Sequence, residues 1–246
     1  MNKIPNFSPY YQPQININTK TLYGFEILTR FQDLNYKLNT YDVINDIQKN
    51  KMGHLFTTKL LKKVFLDLDS ISQKNIPNIA INISSTEIEN NDYFTFIINV
   101  LEEKESYLNK LEFEITENCK IKNPKIFLEN IKLLKTKGVK IALDDLEKGF
   151  NTLDLIDKYP FDKIKLDKKL VSNWSSNEIN LKNIINYIHN LNMLVVAEGI
   201  ENIETLNKMI SLKCDIVQGF YIGKPCPFNE LKISEYTLND DLIIFK

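Results

Sequence analysis

The sequence predicts an α/β fold, and more specifically a (β/α)8 barrel, on two observations. Short runs rich in Ile, Val and Leu alternate with longer segments whose apolar residues recur every three or four positions. This alternation is typical of βαβ units with a parallel sheet. Eight such runs occur within 246 residues, and a single α/β barrel has about 250 residues. The count favours a barrel over a doubly wound sheet.

The predicted strands share a pattern: each is a short apolar run that carries or ends in polar residues. In chain order they are YYQPQINI, LYGFEILTR, NIAINISS, LEFEITE, VKIALDD, DKIKLD, MLVVAE and CDIVQG. Helical spacing of apolar residues predicts helices between them, over residues 55–68, 127–134, 184–191 and 206–212.

Composition excludes several classes of function. The net charge is −1, from 31 basic and 32 acidic residues, so no overall field favours a DNA or RNA duplex or an anionic membrane. No apolar stretch approaches the length of a membrane span, and the N-terminus lacks a secretory h-region. Three widely spaced cysteines without a CxxC pair favour a reducing compartment, so we expect a cytoplasmic protein.

Polar side chains recur at the carboxyl ends of seven predicted strands, where barrel enzymes carry their catalytic groups. They are Glu26, Asn82, Glu114 with Glu117, Asp144 with Asp145, Lys165, Glu198 and Gln218. A single acidic residue after a strand is usually a loop residue or a helix cap. Seven strand ends in succession predict a functional site instead.

Several carboxylates and an amide at one barrel mouth would repel each other unless cations neutralised them. Oxygen ligands without His or Cys suit Mg²⁺ or Mn²⁺, and two such ions form the clamp used for in-line attack on phosphorus. Lys165 could orient the attacking water or stabilise charge on the phosphorus centre. It could equally be a structural partner of one acid.

These motifs resemble the EAL-domain cyclic di-GMP phosphodiesterases from about Tyr11 to Pro227. Glu26-Ile27-Leu28 stands where that family has Glu-Ala-Leu. The segments AINISS, LEFEITEN, ALDD, IKLDKKLV, VVAEGIE and CDIVQGFYIGKPCP follow in the order of the corresponding family segments. The combined match is highly specific.

The resemblance implies a role for each of these residues. It assigns the first metal to Glu26, Asn82, Glu114 and Asp144, and the second to Asp144, Asp145 and Glu198. It implies catalytic roles for Lys165, Glu198 and Gln218, substrate contacts for Arg30, Leu28 and Gln12, and a loop-anchoring role for Glu117. Glu201 is a second acid in the motif of Glu198 and is the alternative metal ligand.

The resemblance also implies a barrel in which one early strand runs antiparallel, and a role in bacterial second-messenger signalling. The implied reaction is hydrolysis of cyclic di-GMP to linear pGpG with two ions of Mg²⁺ or Mn²⁺, and Ca²⁺ is expected to be inhibitory. A homodimer is implied as well. We expect residues 1–246 to form one domain, with a motif-matched core at about 9–230, a tail at 231–246 and no length left for a sensor domain.

One loop departs from the family pattern. Leu146-Glu147-Lys148-Gly149 stands where the family usually has Phe-Gly-Thr-Gly after the aspartate pair. Loss of a glycine removes backbone freedom there. Two alternatives to an enzyme therefore stay open: a receptor that binds cyclic di-GMP without cutting it, and a scaffold that binds neither metal nor nucleotide.

Overall fold

A computed structural model describes residues 3–32, 39–71, 76–116, 120–146, 152–233 and 236. Its centre is a closed barrel of eight strands. They are β1 (Phe7–Asn16), β2 (Thr21–Phe31), β3 (Asn78–Ile83), β4 (Leu111–Ile115), β5 (Lys140–Leu146), β6 (Lys163–Leu166), β7 (Leu194–Ala197) and β8 (Ile216–Val217). All eight predicted strands are present.

The strands follow one another around the barrel in chain order, and β1 closes it between β8 and β2. β1 is antiparallel to both neighbours, whereas the pairs from β2 to β8 are parallel. The prediction of a (β/α)8-type barrel with one antiparallel strand is therefore confirmed. A short ninth strand, β9 (Cys226–Pro227), pairs with β1 and was not predicted.

Helices connect the strands and cover the outside of the barrel. They are α1 (Thr40–Lys49), α2 (Gly53–Leu68), α3 (Ser85–Ile88), α4 (Asn91–Glu102), α5 (Pro124–Thr136), α6 (Leu153–Lys158), α7 (Lys168–Ser172), α8 (Trp174–Asn190) and α9 (Ile203–Ser211). The four predicted helices correspond to α2, α5, α8 and α9. Within the described parts of the chain, no helix has both the length and the apolar character needed to cross a bilayer.

Charged side chains lie inside the barrel. Since successive side chains of a strand point to opposite faces, the apolar residues between them face outward, toward the helices. On β4, Glu112 and Glu114 point inward, while Phe113 between them belongs to the apolar core. On β6, Lys163 and Lys165 point inward in the same way. The interior thus holds two charged layers. The lower layer contains Glu112 and Lys163, and the upper layer contains Glu114 and Lys165 at the carboxyl ends of the parallel strands.

A buried carboxyl fixes the turn that leads from β3 into α3. Glu87 accepts hydrogen bonds from the Ser84 backbone N–H (3.1 Å) and hydroxyl (2.7 Å), forming a capping box at the start of α3. The hydroxyl of Thr57 on α2 donates to its other oxygen at 2.5 Å. Burial raises the pKa of Glu87 despite these donors. This turn joins the end of β3 to α2.

Candidate metal centre

A single buried ammonium group lies at the centre of the barrel mouth. Lys165 Nζ is 2.8 Å from Glu114 Oε2, 2.9 Å from Asp144 Oδ1, 2.7 Å from Glu198 Oε1 and 3.4 Å from Glu26 Oε2. The side chain of Lys165 is only 1% exposed. Four carboxylates thus converge on one cation, and they come from β2, β4, β5 and the residue after β7.

A bulge in β5 allows two consecutive aspartates to reach this mouth. The register between β5 and β6 shifts between Leu143 and Leu146, and Asp145 has a φ of +48°, in the left-handed region. A regular strand would send successive side chains to opposite faces. Here one carboxylate oxygen each from Asp144, Asp145 and Glu198 lies within 4.8 Å of the others.

The turn after β7 separates the two acids of the VVAEGIE motif. Gly199 between them has a φ of +66°, and a Cβ there would lie 2.3 Å from Cγ of Lys168. Only glycine fits this backbone and this close approach. Glu198 contacts Lys165, whereas Glu201 pairs with Lys168 at 2.5 Å on the exposed rim. The geometry favours Glu198 over Glu201 as a ligand.

Side-chain amides hold the carboxylate of Glu26. Asn82 Nδ2 on β3 donates to Glu26 Oε1 at 2.9 Å, and Gln218 Nε2 after β8 donates to Glu26 Oε2 at 2.5 Å. Gln218 Nε2 also donates to Gln12 Oε1 at 3.1 Å. Eight of the nine predicted residues from Glu26 to Gln218 therefore surround one volume, and the ninth, Glu117, lies outside the described residues.

The carboxylates of the cluster differ in their affinity for protons. Burial raises the pKa of Glu198 to about 8, with repulsion from Asp144 and Glu26 added and Lys165 opposing it. Burial also raises the pKa of Glu114 well above its usual value. For Glu26, burial is outweighed by Lys165, Gln218 and Asn82, so its pKa is lowered.

The pKa of Lys165 lies well above its usual value, because the four carboxylates outweigh the effect of burial. The ammonium group therefore stays charged. Four carboxylates around it exceed the number of N–H donors that it carries. Glu114 Oε1 is buried and accepts no hydrogen bond from any residue that the structure describes.

This set of donors fits a hard divalent cation. Carboxylate and amide oxygens without His or Cys are the ligands that Mg²⁺ and Mn²⁺ favour. The excess of negative charge, the close grouping of Asp144, Asp145 and Glu198, and the buried oxygen of Glu114 all favour a bound cation. Asp144 lies between the group around Glu26 and the group around Glu198.

A cleft of about 340 Å³ opens above the cluster. Two of the three predicted substrate contacts, Gln12 and Leu28, line it. Arg30 does not line it: its guanidinium group donates to the carbonyl of Thr29 at 3.1 Å and lies 5.5 Å from the centre of the Tyr10 ring.

Two residues that sequence reasoning missed also line the cleft. Phe220 exposes 60% of its surface, and Lys168, the first residue of α7, lies against Gly199. The position of Phe220, two residues after Gln218, was the available signal. Several large apolar side chains are exposed elsewhere, and what distinguishes Phe220 is its place on the wall of the cleft.

Comparison with known proteins places these features in a family. The sequence model of the EAL domain matches residues 2–225. The chain belongs to the EAL domain family. It is 32% identical over 227 residues to the cyclic di-GMP phosphodiesterase PdeA of Borreliella burgdorferi, covering 90% of this chain and 34% of that protein. The chain therefore spans about a third of the length of this curated relative.

Solved EAL structures share the barrel. The EAL domain protein of Listeria monocytogenes superposes with a TM-score of 0.79 at 29% identity, over 93% of this chain and 92% of that one. The manganese and cyclic di-GMP complex of Klebsiella pneumoniae BlrP1 superposes with a TM-score of 0.76 at 22% identity, over 92% and 57% of the two chains. The second likeness concerns the fold alone.

Proposed function

We propose that this EAL domain is a phosphodiesterase that hydrolyses cyclic di-GMP to linear pGpG with Mg²⁺ or Mn²⁺. The observation that carries the proposal is the convergence of four carboxylates on Lys165 at the mouth of an EAL barrel. The name of the Borreliella burgdorferi relative supports the substrate, and the grouping of Asp144, Asp145 and Glu198 supports the metal.

In this proposal, Glu26, Asn82, Glu114 and Asp144 hold one cation, and Asp144, Asp145 and Glu198 hold the second. When bound, two divalent cations supply positive charge that stabilises the attacking and the leaving oxygen of an in-line displacement at phosphorus. Ca²⁺, with its longer bonds and looser geometry, is expected to bind without supporting hydrolysis.

Glu198 and Lys165 act on the reacting groups, and Gln218 positions Glu26. Glu198 accepts the proton that the attacking water loses, and Lys165, 2.7 Å from Glu198 Oε1, keeps that carboxylate oriented and offsets negative charge developing at phosphorus. Gln218 holds Glu26 in place through its 2.5 Å hydrogen bond and presents its amide to the cleft. One phosphorus–oxygen bond forms to water, one ester bond breaks, and the leaving ribose oxygen takes up a proton to become the free hydroxyl of linear pGpG.

The walls of the cleft suit a dinucleotide. Phe220 offers an exposed ring on which a guanine base can stack, and Leu28 adds an apolar contact. Gln12 contributes an amide to the same wall. Lys168 and, after rotation away from Tyr10, Arg30 supply positive charge for a phosphate.

A receptor that binds cyclic di-GMP without hydrolysing it is the second candidate, and one observation favours it. Leu146-Glu147-Lys148-Gly149 departs from the family pattern directly after the two aspartates. Residues 147–149 lie outside the described part of the chain, as does the predicted loop anchor Glu117.

The two candidates separate in one assay. Purified protein is incubated with cyclic di-GMP and Mn²⁺, Mg²⁺ or Ca²⁺, and products are resolved by chromatography, with binding measured in parallel by calorimetry. We expect pGpG with Mn²⁺ or Mg²⁺ and none with Ca²⁺. Glu26→Gln abolishes turnover, whereas Glu103→Gln, an exposed acid elsewhere, does not. If the protein binds cyclic di-GMP but does not hydrolyse it with Mn²⁺ or Mg²⁺, the chain is a receptor. If it neither binds nor hydrolyses cyclic di-GMP, both candidate functions are wrong.

The proposal has three further parts. Residues 1–246 form a single EAL domain, the protein is a homodimer, and its location is cytoplasmic. The free thiols of Cys214 and Cys226 are consistent with a reducing compartment. Sedimentation analysis with and without cyclic di-GMP tests the dimer, since a single monomeric species in both conditions contradicts it.

A further inference from the structure

A chain of three glutamines runs through the barrel beside the metal centre. Gln14 Nε2 donates to Gln218 Oε1 at 2.8 Å, Gln218 Nε2 donates to Gln12 Oε1 at 3.1 Å, and Gln12 Nε2 donates to the carbonyl of Gly223 at 3.2 Å. All three side chains are buried. Gln14 was assigned no role by its sequence context.

The direction of this chain is set by its ends. A carboxylate such as Glu26 and a carbonyl such as that of Gly223 only accept hydrogen bonds. Gln218 must therefore turn its NH₂ group toward Glu26 and Gln12, which leaves its carbonyl oxygen facing Gln14. Gln14 must then donate. Reversing any one amide would bring two acceptors or two donors together inside the barrel.

Gln14 lies on β1 where the strand pairing is irregular. It pairs across β1 and β2 with Gly24, and the register shifts directly after this pair. Gln14 is 1% exposed, so water has little access to its amide. Among the described residues, the hydrogen bond to Gln218 Oε1 comes from Gln14.

We infer that Gln14 is a positioning residue, which fixes the orientation of the Gln218 amide and, through it, the carboxylate of Glu26. Without the donor from Gln14, the buried carbonyl of Gln218 loses its partner, and the amide is held only through its N–H groups by Glu26 and Gln12. A less firmly held amide weakens the charge-assisted hydrogen bond to Glu26. The inference rests on the proposed metal site where Mn²⁺ affinity is the readout, and on the proposed reaction where turnover is the readout.

The test is a double-mutant cycle on Gln14 and Gln218, read out as Mn²⁺ affinity and as kcat. Gln14→Met keeps the volume and removes the donor, and we expect about tenfold weaker Mn²⁺ binding and lower kcat, the scale of one hydrogen bond. In a Gln218→Met background, Gln14→Met should have no further effect, because its action passes through Gln218. Additive effects of the two substitutions would overturn the inference.

A matched control separates positioning from general loss of stability. Asn130→Leu also removes a buried amide donor, which binds the carbonyl of Ile88 at 2.7 Å away from the cleft. It should lower the melting temperature and leave Mn²⁺ affinity unchanged. If it weakens Mn²⁺ binding as much as Gln14→Met does, positioning by Gln14 is wrong.

A measurement on the wild-type protein needs no variant to fold. In ¹⁵N spectra, both side-chain N–H protons of Gln218 should be distinct and protected from solvent exchange, because each is donated to a buried acceptor. Rapid exchange or a single averaged signal would contradict a fixed amide. Repeating the spectrum on Gln14→Met makes the measurement specific for Gln14, since faster exchange of these protons is expected there even if cyclic di-GMP is not hydrolysed.

Discussion

The two charged layers inside the barrel contain a lysine each, and the two lysines differ in what surrounds them. In the lower layer, Lys163 Nζ lies 2.7 Å from Glu112 Oε1 and 4.3 Å from the centre of the Tyr23 ring. In the upper layer, four carboxylates lie within 3.4 Å of Lys165 Nζ. Both lysines are 1% exposed and belong to the same strand.

The difference separates structure from function. One ammonium group facing one carboxylate balances the charge of the lower layer, and a neighbouring aromatic ring adds a favourable contact. One ammonium group cannot neutralise four buried carboxylates, and burial together with their mutual repulsion raises the pKa values of Glu198 and Glu114. In the proposed function, divalent cations supply the missing positive charge, so the upper layer is the proposed metal site.

The largest expected effect is on turnover in the upper layer. Asp144→Asn removes the carboxylate shared by both proposed cation sites, so hydrolysis of cyclic di-GMP should fall by at least about a thousandfold. At a pH above 8, where Glu198 is charged, the same substitution should raise the melting temperature of the metal-free protein, because it relieves repulsion with Glu198 and Glu114 while Lys165 keeps three other carboxylate partners. Kinetics and calorimetry check the two parts.

Asp92→Asn, on the first turn of α4, is the matched control and should change neither quantity. A metal-free Asp144→Asn protein that melts below the wild type would contradict the excess of negative charge.

The next largest effect is a loss of stability in the lower layer, opposite to the gain expected for Asp144→Asn. Lys163→Met leaves Glu112 buried without its cation and should destabilise the protein by about 3–5 kcal/mol. Replacing both residues, as Lys163→Met with Glu112→Leu, should recover most of that loss. Urea denaturation of the three proteins measures it, and a neutral single substitution would show that this ion pair is not what stabilises the layer.

The effect of added metal on the melting temperature should distinguish the two layers. A cation at a hundred times its dissociation constant stabilises the folded state by about 2.7 kcal/mol. For a chain of this size that corresponds to roughly 5–10 °C in melting temperature. Mn²⁺ should produce this rise in the wild type and in the lower-layer double variant, but not in Asp144→Asn. An equal rise in all three would assign the metal to another site.

The smallest effect concerns Glu87, a buried carboxyl outside both layers. Its pKa is raised by burial, so the wild type loses stability as the pH rises from below the unfolded pKa through the folded one. Glu87→Gln does not titrate. The melting temperature of the variant minus that of the wild type should therefore increase as the pH rises from 4 to 8. A constant difference would show that Glu87 stays charged.

Much of the fold and the cluster was predictable from the sequence. Alternation of apolar runs and helical segments predicted the barrel, and polar residues at strand ends predicted that Glu26, Glu114, Lys165 and Glu198 converge. The lower layer had the same signal, because Glu112 and Lys163 each lie two residues before a predicted site residue on the same face.

Other features depend on backbone geometry that residue identities do not encode. The bulge that brings Asp145 beside Asp144 requires a positive φ at a residue other than glycine. The orientation of Arg30 over Tyr10 and the close approach of Lys168 to Gly199 arise from contacts distant in sequence or from a local turn. The amide chain through Gln14 depends on the pairing of β1 with β8, which brings together Gln14 and Gln218, 204 residues apart in the sequence.

The central claim is that the upper layer is a two-cation site, and direct counting of bound Mn²⁺ tests it. Electron paramagnetic resonance of free Mn²⁺ in equilibrium with the protein gives the number of ions bound per chain, with cyclic di-GMP present to complete the site. We predict two ions for the wild type and fewer for Asp144→Asn. Absence of bound Mn²⁺ in the wild type, or equal binding by both proteins, would contradict the account.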